Sequence, residues 1–82
     1  MLKLINIKKN ENIIEADYIP EQSENSAHVR LNTENDEYIV ENVDGFGSMY
    51  RRMALNGLRR ILAELKSNKI ETVPTERTVM WY

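Results

Sequence analysis

Residues 48–68 carry one apolar stripe, and a helix greasy along a single side must be covered by something else. At 100° per residue, Tyr50, Ala54, Leu58, Ile61 and Leu65 fall on one narrow line, widened by Leu55 and Leu62. Ser48 suits the N-cap, Asn68 suits a left-handed residue after the last turn, and Lys66 and Lys69 favour the C-terminal end electrostatically. A helix of about 21 residues is roughly 31 Å long, enough to cross a four-stranded sheet. The rest of the chain has to supply that sheet.

It does so in short runs separated by polar turns. Residues 13–19 place Ile14, Ala16 and Tyr18 on one face and Glu15 and Asp17 on the other. Residues 27–32 alternate Ala27, Val29 and Leu31 with His28, Arg30 and Asn32. Residues 2–9 are rich in Leu and Ile, but Leu2 and Leu4 take one parity while Ile5 and Ile7 take the other. A bulge would reconcile them, and so would a strand covered on both faces. Residues 37–43 read as a fourth strand. Lys9 to Asn12, Pro20 to Ser26 and Thr33 to Asp36 supply the turns. Asp44-Gly45-Phe46-Gly47 separates strands from helix, 71–76 with Pro74 reads as a linker, and Arg77 to Tyr82 is a β-prone ending.

These runs predict an α+β fold in a single domain over 1–82. An antiparallel four-stranded meander is packed on one face by one long helix in the C-terminal half, with a final C-terminal strand returning to the sheet. The expected core is Leu4, Ile14, Ala16, Tyr18, Val29, Leu31, Tyr38, Val40, Tyr50, Ala54, Leu58, Ile61, Leu65 and Trp81. Ile39 and Val43 compete with Tyr38 and Val40 for the inner face of the fourth strand. A register with Tyr18 opposite Val29 would set Asp17 opposite Arg30, an attractive cross-strand pair.

Composition narrows the function classes. The chain has 82 residues, no cysteine and one histidine, which leaves no disulfide framework, thiolate metal site or histidine cluster. No apolar run approaches the roughly 20 residues of a membrane span. The N-terminus lacks the apolar core and cleavage site of a signal peptide, so a cytoplasmic protein is expected. The net charge of −2 is unevenly distributed. Residues 1–46 hold four basic and ten acidic groups, whereas 47–82 hold seven basic and three acidic. The two halves of such a chain attract each other, or one of them attracts a partner.

Candidate binding residues cluster on the helix and at the C-terminus. Arg52, Arg59 and Lys66, spaced by sevens, form a cationic ridge with Arg60 beside it, expected to pair with Glu64 at i,i+4. Arg51 falls inside the apolar stripe, where it must snorkel outward or meet a carboxylate. Met49 and Met53 point away from the stripe beside Arg60, a combination found at adaptable protein interfaces. Trp81 and Tyr82 alternate on the last strand, one ring inward to the core and one outward, where it could serve a binding hot spot or stack on a base. Glu15, Asp17, Glu21 and Glu24 match no cation-binding loop, and the Gly45–Gly47 spacing matches no phosphate loop. His28 reads as a surface residue of the open sheet face. No catalytic constellation, metal site or cofactor is expected. The expected function is a non-enzymatic protein-interaction module, with a protein partner or self-association. The alternative is a nucleic-acid binder using the helix ridge.

Overall fold

A computed structural model describes residues 1–21, 23–41 and 47–79, with the backbone alone at 47 and 48. Its elements are β1 (Leu2–Asn10), β2 (Ile13–Pro20), β3 (Ala27–Asn32), β4 (Tyr38–Glu41), α1 (Gly47–Lys66) and β5 (Arg77–Val79). The fold is α+β. The five strands form one antiparallel sheet in the order β4-β3-β2-β1-β5, and α1 packs against β1, β2, β3 and β5. The four-stranded meander is present, and the final strand returns to pair with β1.

The parity slip in β1 is resolved by a bulge between Ile5 and Lys8, where Asn6 adopts a φ of 52°. Asparagine tolerates that left-handed conformation better than most residues. The extra residue reverses the alternation, so Leu2 and Leu4 before it and Ile7 after it are all buried. The helix ends as Asn68 permits, at a φ of 61°. The Lys69 amide donates to the Glu64 carbonyl at 2.9 Å and the Asn68 amide to that of Leu65 at 3.2 Å, both bonds of a Schellman cap. The expected Ser48 cap, the Asp44–Phe46 punctuation and Val43 fall outside what is described.

The buried core contains Leu4, Ile14, Ala16, Tyr18, Val29, Leu31, Ala54, Leu58 and Ile61, with Leu2, Ile7, Ala27 and Leu55 completing it. Val40, Tyr50 and Leu65 are half-buried against it. Trp81 lies outside the described residues. Tyr38 does not belong to the core, because 46% of it is exposed. It pairs with Leu31 and so has the inner parity, but β4 is the outermost strand of the sheet.

The β2–β3 register also differs from expectation. Ala16 lies opposite Val29 and Tyr18 opposite Ala27, a slip of two residues that leaves both faces unchanged. Arg30 therefore meets Glu15, at 3.5 Å, and Asp17 meets His28. The cross-strand charge rule is satisfied equally well by either alignment. It could not choose between them.

Candidate functional site

A concavity runs between α1 and β5. One side of α1 contributes Met49, Met53 and Gly57, with Arg52, Asn56 and Arg60 in the adjacent row; β5 contributes Arg77, Thr78 and Val79. The groove has a volume of about 510 Å³. Its two walls meet because Gly57 is buried where the helix crosses the sheet. A Cβ there would lie 2.8 Å from Val79 Cγ2 and 2.9 Å from Leu4 Cδ1. Arg77 and Val79 pair with Leu4 and Leu2, so they face the helix layer rather than the open face.

The expected Arg60–Glu64 pair does not form. Arg77 Nη1 instead donates to Glu64 Oε1 at 2.6 Å, with both side chains about three-quarters covered. A guanidinium arriving from a neighbouring strand outcompetes the solvent-exposed i,i+4 partner, whose attraction is a few tenths of a kcal/mol. Among the described residues, Arg52 and Arg60 are left without a carboxylate partner. The groove thus combines an apolar floor of Met53 and Val79, the 55% exposed Met49 and two uncompensated cations.

Four of the nine expected site residues, Met49, Arg52, Met53 and Arg60, come together here. The others do not. Arg51 meets no carboxylate among the described residues; its guanidinium carbon sits 5.9 Å from the centre of the Tyr38 ring, a cation–π contact. Arg59 is held by Asp36, with its Nη2 2.9 Å from Oδ2 and its Nε 3.1 Å from Oδ1. Lys66 borders a separate shallow depression with Lys9, Leu62, Leu65 and Val73. Trp81 and Tyr82 lie outside the described residues.

The open sheet face carries a second cluster. His28 Nδ1 lies 2.7 Å from Asp17 Oδ1 and its Nε2 lies 3.7 Å from Glu15 Oε1. Both ring nitrogens are therefore turned toward carboxylates. Lys8 and Arg30 add their charges to Glu15, and Asn6 Nδ2 donates to Asp17 Oδ2 at 3.0 Å. Burial raises the Asp17 pKa, but the Asn6 and His28 hydrogen bonds and the charges of His28 and Lys8 outweigh it and leave the value lowered. A depressed carboxyl stabilises the fold above its ordinary value of about 4 and loses that contribution as pH falls through the folded value. The melting temperature should therefore fall less steeply between pH 5 and pH 2 in Asp17→Asn than in the parent. Parallel profiles from thermal denaturation would remove Asp17 from the acid response. Among the described residues, no three His, Asp or Glu side chains are placed to hold a metal ion, and no helix is long and apolar enough to cross a membrane.

Compared with protein-family models, curated proteins and solved structures, the chain gives no significant match. Asn56, Gly57, Glu64, Arg77, Thr78 and Val79 line the groove without being expected site residues. A signal for Gly57 was present: a glycine inside a helix costs about 1 kcal/mol against alanine and marks a close approach. No comparable signal joined Arg77 to Glu64.

Proposed function

We propose that the chain is a small non-enzymatic protein-interaction module whose docking surface is the groove between α1 and β5. The observation that carries this reading is the pairing of exposed methionine with free arginine. Met49 and Met53 adapt to irregular apolar shapes, and Arg52 and Arg60 supply directional hydrogen bonds at the rim. The nucleic-acid reading ranks second. Its ridge is interrupted at the centre, since Arg59 is neutralised by Asp36, and Arg52 and Lys66 stand roughly 21 Å apart along the helix.

A photo-crosslinking residue at Asn56 tests the docking surface directly. It should capture protein, either from host lysate or as a second copy, and Met49→Ser with Arg60→Glu should abolish the capture. The same probe at Lys3 on the open face is the control. Equal yields from the two positions would reject the groove. Steeply salt-dependent retention on DNA that survives Met49→Ser with Arg60→Glu but not Arg52→Ala/Arg59→Ala/Lys66→Ala would favour the ridge.

A further inference from the structure

Resting on that reading, we infer that the groove receives the open-face side chains of β4 from a second copy of this chain. Among the described residues, four large apolar side chains stand out as exposed: Met1, Tyr38, Ile39 and Met49. Met49 lines the groove, and Tyr38 and Ile39 sit together on β4, where Ile39 is 61% exposed. The segment reads Glu37-Tyr38-Ile39-Val40-Glu41. In extended chain, alternate residues share a side, so Glu37, Ile39 and Glu41 form one row on the open face, where Ile39 pairs with Arg30 and stands between two carboxylates.

The groove presents the complementary pattern. Arg52 and Arg60 are eight residues apart on α1, about 12 Å along its axis. Glu37 and Glu41 are four residues apart in an extended segment, about 13 Å. Setting the carboxylates on the two guanidinium groups places Ile39 at Asn56, midway between them and one helix row from Met53. The charges fit in sign as well as spacing. Arg30 lies 4.0 Å from Glu41, too far and too exposed to neutralise it fully.

One molecule cannot satisfy its own groove. β4 and β5 are the two outer strands of the sheet, separated by β3, β2 and β1, or by about 19 Å at the usual strand spacing. The contact is therefore between copies: β4 of one meets the groove of another. A segment this short covers far less than the roughly 800 Å² per partner of a stable complex. The association is accordingly weak, of the transient class.

Sedimentation velocity on the full chain between 10 µM and 1 mM tests this. The average sedimentation coefficient should rise with concentration and flatten in 0.5 M salt. Glu37→Lys/Glu41→Lys and Arg52→Glu/Arg60→Glu should each remain folded by circular dichroism and weaken association at least tenfold. An equimolar mixture of the two variants should restore it, because each reversed surface then finds its complement. A parent chain that stays monomeric at 1 mM, a reversal with no effect, or a mixture that does not recover would each overturn the self-pairing. Capture of a different protein through Asn56, with the parent monomeric, would overturn it too while leaving the groove as a docking surface. No capture together with a monomer would remove both.

Discussion

Leu58→Asp is expected to abolish the cooperative thermal transition. Leu58 is fully buried on the core face of α1, among the largest side chains with no exposure. Removing a buried leucine side chain costs about 2–5 kcal/mol through lost transfer energy and the cavity left behind. Leaving an unpaired carboxylate in its place adds several kcal/mol more, or forces the group to take up a proton. At roughly 0.05–0.15 kcal/mol per residue, a chain of this length holds about 4–12 kcal/mol in total. The substitution therefore consumes most or all of the stability. Leu58→Met keeps the volume and should cost less than about 1.5 kcal/mol. Far-ultraviolet circular dichroism during heating distinguishes the two. A parent-like transition in Leu58→Asp would mean that the helix does not roof the sheet.

Gly57→Val should be the next most damaging change, and its cause is local. The valine would enter space already held by Val79 Cγ2 and Leu4 Cδ1, at 2.8 and 2.9 Å from its first carbon. Overpacking of this kind costs about 1–3 kcal/mol. Here the second methyl group raises it to the upper end, because Leu4 is fully buried. A loss of about 3 kcal/mol lowers the melting temperature by roughly 12–24 °C in a domain of this size. Relief comes most easily by pushing β5 away from α1, which also opens the Arg77–Glu64 bond. Two controls sharpen the result. Gly57→Ala gains about 1 kcal/mol of helix propensity that offsets part of its smaller clash. Val79→Ala should reduce the Gly57→Val penalty by about 1 kcal/mol in a double-mutant cycle. An unchanged penalty in that background would show that the clash lies elsewhere.

The two residues illustrate how unevenly the molecule could be read in advance. Leu58 announces itself, since the 3.6-residue period places it at the middle of the stripe. The alternation of β2 and β3 likewise assigns Ile14, Ala16, Tyr18, Val29 and Leu31 to the inner face, while the broken parity of β1 fits a bulge or a strand covered on both faces equally well. Tyr38 obeys the same alternation but stays half exposed. Parity tells which way a side chain faces. It does not tell whether anything lies on that side.

The groove was legible in fragments. Spacing alone sets Met49 and Met53 beside Arg60 and assigns Arg52 to a ridge with Arg59 and Lys66. That the methionine side borders β5, and that Arg77 takes Glu64 from Arg60, depends on how the last strand is laid against the first. Arg51 and Arg59 carry the same warning: both looked available, yet one stacks near Tyr38 and the other is clasped by Asp36 from a turn 23 residues earlier.

Layers, faces and the C-terminal helix cap could be inferred from the chain before folding, because each is set by steric preferences and periodicities acting within a few residues. Register, edge exposure, the closeness of Gly57 to β5 and the choice of partner for every arginine emerged on assembly. Those features depend on distances between segments remote along the chain, and alternatives such as Glu15 or Asp17 for Arg30 differ by a few tenths of a kcal/mol until packing separates them.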